Sequence, residues 1–145
     1  MTDVRKALVE YVASRPQPPG KLSFEEFLNW CDKDTWAEWV DGEVIVLTPA
    51  SLRHQTIKMF LVALMGGFAG YHQCGTVLDP PFLVRLPEHL RCGREPDIIF
   101  VSQEQVPRFK DTYFDGVPDV VVEIISTESY TRDRKTSTAN TKPPG

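Results

Sequence analysis

The sequence predicts an α/β domain with a mixed β-sheet, an N-terminal β-hairpin and a packed central helix. Three observations support this prediction: an Asp-Gly pair between two strand-forming runs, a long apolar helix after it, and two later β-branched runs that each follow a Pro-Asp pair. A hairpin, a helix and then further strands indicate an α/β or α+β domain. The 145 residues have the length of one domain and can bury a sizeable core.

Composition excludes several classes of protein. The longest apolar run, Met59 to Met65, is far shorter than the roughly 20 residues of a membrane span, and the N-terminus lacks the apolar core of a signal peptide. Cys31, Cys74 and Cys92 are odd in number and lack C-x-x-C spacing, which favours free thiols in a reducing cytoplasm. With a net charge of -4, the chain does not show the excess of basic residues that is typical of nucleic-acid-binding proteins. Nucleic-acid binding is not excluded, because an acidic metal site can lie beneath a local basic rim.

The chain divides into three parts. Residues 1–20 are expected to form a helix over 3–13 and then a proline-rich linker; the apolar stripe of this helix is Val4, Leu8, Val9 and Val12. Residues 21–135 form the folded domain, which begins with a short helix that Ser23 caps. Residues 136–145 contain no large apolar side chain and are expected to be disordered.

The hairpin and the long helix come next. Trp36–Val40 and Glu43–Leu47 flank Asp41-Gly42, which is a strong β-hairpin signal. Ser51 can cap a helix from about Leu52 to Ala69. The centre of this helix is apolar nearly all round apart from Lys58, so we expect it to pack against a sheet.

The remaining strands alternate with turns. We predict one strand from Thr76 to Leu86 that Pro80-Pro81 interrupts, then a turn over residues 87–93. A strand follows over Pro96–Val101, then an irregular segment over residues 103–116, and a last strand over Pro118–Ser126.

Glu123 lies in the middle of the last strand. The surrounding run of β-branched residues is typical of a strand buried on both faces. An unpaired charge there would cost several kcal/mol. The carboxylate therefore needs a salt-bridge partner, a raised pKa or a metal ion.

Asp97 is the candidate partner of Glu123, because it stands in the upstream Pro-Asp strand. If the two strands are central parallel neighbours, both carboxylates lie on one side of the sheet. One pKa then rises unless a divalent cation lies between them, and Mg²⁺ suits such a pair. The alternative is that Asp97 is a turn residue and that Glu123 pairs with an arginine such as Arg94.

Five motifs in this order resemble the Uma2 family of restriction-endonuclease-like proteins, within the PD-(D/E)xK nuclease superfamily. The resemblance runs from about Leu22 to Lys135. The motifs are Glu38-x-x-Asp41-Gly42-Glu43; Pro49 with Ser51-x-Arg53-His54-Gln55; Arg94-x-Pro96-Asp97-Ile98-Ile99-Phe100-Val101; Gly116-x-Pro118-Asp119-Val120-Val121-Val122-Glu123-Ile124-Ile125-Ser126; and Arg132-Asp133-Arg134-Lys135.

The resemblance implies a restriction-endonuclease-like core and Mg²⁺-dependent hydrolysis of DNA, with Mn²⁺ as a substitute ion. Asp97 and Glu123 would be metal ligands and catalytic residues, with the backbone carbonyl of Ile124 as a third ligand. The superfamily lysine would fall at Ile125, and Lys135 would take its place. Glu38 could reach the metal, although an edge-strand carboxylate that pairs with an arginine is an equal alternative.

Other polar residues near these motifs are weaker candidates. His54 is either a capping or packing residue or a catalytic base. Four arginines could contact phosphate or simply be solvated: Arg53, Arg94, Arg132 and Arg134.

Residues 136–145 depart from the family pattern, which continues with a helix and a strand. Apolar surface beside the Glu123 strand could then stay exposed, and a homodimer could cover it. Two other functions therefore stay open: a non-catalytic interaction module with the same fold, and a hydrolase of another phosphodiester such as RNA.

Overall fold

The computed structural model describes residues 20–31, 35–47 and 49–125. The predicted helix over 3–13, the linker before Gly20 and everything from Ser126 onward, including Lys135, lie outside these residues. The helices are α1 (Phe24–Trp30) and α2 (Leu52–His72), with 3₁₀ segments at Glu88–Leu90 and Gln103–Arg108. The strands are β1 (Ala37–Val40), β2 (Glu43–Val46), β3 (Gly75–Leu78), β4 (Leu83–Arg85), β5 (Cys92–Arg94), β6 (Ile98–Ser102), β7 (Tyr113–Asp115) and β8 (Val120–Val122).

The described strands form two sheets. A five-stranded sheet has the order β2-β1-β5-β4-β7, and a three-stranded sheet has the order β3-β6-β8. The five-stranded sheet is mixed, because β4 and β7 run parallel whereas its other pairs are antiparallel. The predicted α/β class, with its hairpin and central helix, is confirmed; the second sheet was not foreseen.

The hairpin forms as predicted. Val40 pairs with Glu43 across the turn, and Asp41 and Gly42 take positive φ values of 53° and 89°. Asp and Gly tolerate this left-handed backbone better than other residues, and it matches the twist of the two strands. The hairpin thus fixes where Glu38, in the middle of β1, enters the sheet.

Two apolar cores cover opposite faces of the five-stranded sheet. Along β4, Leu83 packs with α1 in one core, and the next residue, Val84, packs in the other. The second core also contains Ile99 and Val101 of β6, so it joins the two sheets. Successive strand residues point to opposite faces, which explains how a three-residue strand serves both cores.

Helix α2 packs against β3, as expected, but it ends at His72 rather than near Ala69. Lys58, the polar residue of its apolar centre, is 7% exposed and forms an ion pair with Asp79 at 3.4 Å. Asp79 follows Leu78, which packs in the core between the sheets. By strand alternation, α2 therefore covers the outer face of the three-stranded sheet.

Three segments between the predicted elements differ from expectation. The segment Thr76–Leu86 is two strands, β3 and β4, in different sheets, separated by a cis Pro80–Pro81 bond. The predicted turn over 87–93 contains β5, and the irregular segment 103–116 contains β7. Both missed strands have three residues, too few to show a period.

The prediction that the Glu123 strand is buried on both faces is wrong for the part that the structure describes. Strand β8 pairs with β6 at an edge of its sheet, and Val120 and Val121 are 44% and 48% exposed. A β-branched run reports strand propensity and not burial, because burial depends on what packs on the strand.

Two smaller findings concern the class of protein. No helix among the described residues has the length and hydropathy to cross a membrane. Cys31, Cys74 and Cys92 form no disulfide with one another.

The N-terminal cap of α1 should be measurable in stability. The Ser23 hydroxyl accepts from the Glu26 backbone N–H at 3.2 Å, and Glu26 Oε2 accepts from the Ser23 N–H at 2.7 Å. Because Ser23→Ala removes one acceptor of this capping box, we expect a loss of about 1 kcal/mol in the free energy of unfolding. Urea denaturation measures it, and Ser23→Asn, which keeps an acceptor, should lose much less.

Candidate active site

The register of β6 and β8 brings two acidic residues together. Ile98 pairs with Val122 in an antiparallel ladder, so Asp97 and Glu123 stand opposite each other one step beyond it. The predicted parallel arrangement is wrong, but the predicted meeting of the two side chains is correct. Antiparallel pairing achieves it because the start of one strand meets the end of the other.

Asp97 is held by two hydrogen bonds. Its Oδ2 accepts the backbone N–H of Ile124 at 2.7 Å and faces His54 Nε2 at 3.0 Å. The Asp97 side chain is 19% exposed. The Glu123 side chain also interacts with the Asp97 side chain, so three groups converge on this carboxylate.

His54 comes from the first turn of α2. Ser51 Oγ accepts the His54 backbone N–H at 3.2 Å, and the imidazole, 12% exposed, reaches Asp97. A carboxylate oxygen accepts hydrogen bonds, so His54 Nε2 must be the donor. Nδ1 is buried without a hydrogen-bond partner among the described residues. His54 therefore contacts Asp97 directly, and its role as a packing residue or a catalytic base stays a prediction.

Glu123 shows the electrostatic strain that the sequence predicted. Burial of its carboxyl group raises its pKa to about 7, and the Asp97 and Glu38 carboxylates add to the shift. The residue as a whole is exposed, and its side chain interacts with Asp97. Of the three compensations considered, the described residues supply the raised pKa and not an arginine partner, because Arg94 pairs elsewhere.

Glu38 lies on the interior strand β1 and not on an edge strand. Its Oε2 accepts from Arg94 Nη1 at 2.8 Å and its Oε1 accepts from the Glu95 backbone N–H at 3.2 Å. Glu38 therefore pairs with an arginine, as one of the two alternatives for this residue predicted. Its charge still acts on the site, because it raises the pKa of Glu123.

Glu95 is an acidic neighbour of Glu38 that the sequence reasoning missed. Its buried Oε2 has no hydrogen-bond partner among the described residues, and burial and the Glu38 carboxylate raise its pKa to about 7. The available signal was its spacing, since residues two apart in an extended segment point to one side. Glu95 and Asp97 have this spacing across Pro96.

A metal ion at this site would rely on few protein ligands. No group of three or more His, Cys, Asp or Glu side chains in residues 20–31, 35–47 and 49–125 is placed to hold one. Mg²⁺ is usually bound through one or two carboxylates, waters and substrate phosphates. The Asp97–Glu123 pair, whose Asp97 also accepts the Ile124 backbone N–H, fits this donor set.

Of the other candidate residues, those that the structure describes form no hydrogen bond or ion pair with the acidic pair, and the rest lie outside the described residues. Asp119, of the second Pro-Asp pair, accepts the Ser102 backbone N–H at 2.7 Å and serves as a turn residue. Arg53 is exposed, and Ile125, at the position of the superfamily lysine, is 77% exposed. Lys135, Arg132 and Arg134 lie outside the described residues.

Comparison with known proteins names the family of this α/β protein. The profile of Uma2, described as a putative restriction endonuclease, matches residues 24–141. This match covers most of the sequence, so the chain belongs to the Uma2 family.

A solved structure has the same fold. It is a putative nuclease belonging to DUF820 from Anabaena variabilis, with a TM-score of 0.62 and 18% sequence identity. The similarity covers 81% of this chain and 66% of that chain, so this chain spans just under two thirds of its neighbour. No curated protein matches the sequence.

The raised pKa values predict a pH-dependent stability in the absence of metal. Glu123 and Glu95 titrate near 7 in the folded state and near 4.5 when unfolded. The folded protein holds these protons more tightly, so stability is greatest below about pH 4.5 with respect to these groups and falls as pH rises through 7. Glu123→Gln should recover about 1 kcal/mol at pH 8, a value discounted for partial exposure.

Urea denaturation at pH 5.5 and pH 8, with a chelator present, measures this effect. Glu43→Gln is the matched control, because Glu43 is exposed at the hairpin. Equal stabilisation of both variants at pH 8 would contradict the assignment of the effect to the acidic site.

Proposed function

We propose that the protein is a Mg²⁺-dependent endonuclease that hydrolyses phosphodiester bonds of DNA. The observation that carries this proposal is the pairing of Asp97 with Glu123 across the ends of two adjacent strands, with a raised pKa on Glu123. Two carboxylates in this strained arrangement are stabilised when a divalent cation shares them. Membership of the Uma2 family supports the same reaction class.

The protein residues would have separate roles. Asp97, Glu123 and the Ile124 carbonyl would hold the ion, which when bound would activate water and neutralise charge on the phosphoryl group. The Ile124 N–H contributes as well, because it fixes Asp97 at 2.7 Å. Glu38 would add negative potential from β1 while it pairs with Arg94.

A cation for the developing charge on phosphate is the remaining requirement. We assign it to Lys135, which the family resemblance places in this role. Arg94 is the nearest described candidate for a substrate contact, since it is exposed and already borders Glu38. Mn²⁺ should substitute for Mg²⁺, because both accept carboxylate and water ligands.

One observation favours a second function, a non-catalytic module with the same fold. Ile125 stands where the superfamily has its lysine, and its side chain is exposed rather than directed by packing. In this alternative the acidic pair would be an inherited feature without a reaction.

Cleavage of plasmid DNA separates the two functions. The full chain with Mg²⁺ should nick supercoiled plasmid, and Glu123→Gln and Asp97→Asn should each reduce the rate at least about a hundredfold, because each removes a charged ligand. Asp119→Asn is the matched control: it belongs to the other Pro-Asp pair and should keep its activity. An RNA substrate of the same sequence tests the choice of nucleic acid.

Three results would count against the nuclease. They are an inactive full chain that binds no Mn²⁺, cleavage that survives Glu123→Gln, and equal loss in Asp119→Asn. Loss of cleavage in Lys135→Ala with unchanged Mn²⁺ affinity would support the role assigned to that lysine.

His54 should act through Asp97. Outer partners of metal ligands typically contribute ten- to hundredfold to metal affinity or activity. His54→Ala should therefore weaken Mn²⁺ binding by about tenfold, measured by calorimetry, because Asp97 loses its 3.0 Å contact. His54→Gln, whose amide N–H can replace the Nε2 donor, should recover part of the affinity. Equal losses in both variants would show that the imidazole has another role.

A further inference from the structure

Helix α2 exposes an apolar surface along most of its length. Its outward side carries seven large apolar side chains that are between 38% and 85% exposed. They are Leu52, Ile57, Met59, Phe60, Leu64, Phe68 and Tyr71. We call this set the α2 stripe. Phe60, Leu64 and Phe68 follow one another at intervals of four residues, so they share one face of the helix.

The stripe is uncharged except at its N-terminal end, where the exposed Arg53 lies next to Leu52. From Met59 to Tyr71 the helix contains no charged side chain. The helix's buried cation, Lys58, points the other way, to Asp79. Between Met59 and Tyr71 a nucleic-acid backbone would find no Lys or Arg, so a surface that covers this part of the stripe must itself be apolar.

Two of the α2 glycines leave open space beside the stripe, where another helix could approach closely. A Cβ atom built on Gly67 or on Gly70 would meet no atom within 4 Å, so no packing in the structure requires a glycine there. Each glycine in a helix interior costs about 0.5–1 kcal/mol relative to alanine. A neighbouring helix that crosses at these positions would account for both residues.

The size of the stripe matches one side of a dimer interface. Seven side chains of roughly 200 Å² each, about two thirds exposed, leave on the order of 900 Å² of apolar surface. The largest apolar patch of a typical monomer is about 300–600 Å². One partner in a standard interface buries about 800 Å².

We propose that a second copy of the chain covers this surface, with α2 packed against α2 about a two-fold axis. An isologous contact needs one self-complementary patch, and an uncharged apolar stripe beside two glycines meets that requirement. The 21 residues of α2 span about 31 Å, enough for a continuous helix pair. The contact lies on the far side of α2 from Lys58, so it leaves the acidic pair accessible.

Sedimentation of the full chain, without metal or nucleic acid, tests the proposal separately from the nuclease function. We expect a dimer that dissociates on dilution. Leu64→Glu should raise the dimer dissociation constant at least a hundredfold, because it places a charge in the apolar contact. Leu90→Glu is the matched control: Leu90 is 50% exposed in the 3₁₀ segment outside the stripe, and this variant should remain dimeric.

Gly67→Ala is a second test, which keeps the proposal testable if Leu64→Glu fails to fold. In a helix that faces solvent, this change raises the melting temperature and leaves the molecular mass unchanged. In the proposed dimer the added methyl group separates the two helices and raises the dissociation constant at least tenfold. Circular dichroism should show an unchanged helix content.

Two outcomes would overturn the proposal. One is a full chain that stays monomeric at 100 µM, in which case residues 1–19 or 126–145 of the same chain cover the stripe. The other is a dimer that Leu64→Glu and Gly67→Ala leave intact, which would place the dimer contact elsewhere.

Discussion

The antiparallel register of β6 and β8 is the constraint on which the site depends. It sets Asp97 and Glu123 opposite each other. The same register places the Ile124 N–H within 2.7 Å of Asp97 Oδ2. Since one oxygen of Asp97 is committed to that bond and to His54, the pair cannot separate without the loss of a partly buried hydrogen bond. The repulsion between the carboxylates is therefore retained in the folded protein.

Elements from three parts of the chain meet at this pair. The hairpin carries Glu38 in from β1, α2 carries His54 in from its first turn, and the segment before β6 places Glu95 beside Glu38. Negative charge thus accumulates where burial already raises the pKa of Glu123 and Glu95 to about 7. An arrangement that is unfavourable for an isolated protein is suited to a divalent cation, which is why we connect it with metal-dependent chemistry.

Helix α2 joins this site to the outer surface of the molecule. Its sheet-facing side bears the polar residues His54 and Lys58, both of which find carboxylate partners. Its other side is apolar and open. The middle of the helix is apolar nearly all round, which is why the sequence predicted a packed helix without showing which side is packed. His54 and Lys58 are largely buried, and each is paired with a carboxylate. The exposed apolar side chains of the α2 stripe are the ones that the proposed dimer would cover.

The sequence by itself determined the features that rest on local chemistry. The Asp41-Gly42 turn, the caps at Ser23 and Ser51, and the conflict of a carboxylate at Glu123 all follow from a residue and its neighbours. Tertiary structure decided the antiparallel direction of β8 and the exposure of its edge. It also decided the three-residue strands β5 and β7 and the position of Glu95 beside Glu38. These depend on contacts between residues far apart in the chain, and a β-branched run has the same propensity whether its neighbour is parallel, antiparallel or absent.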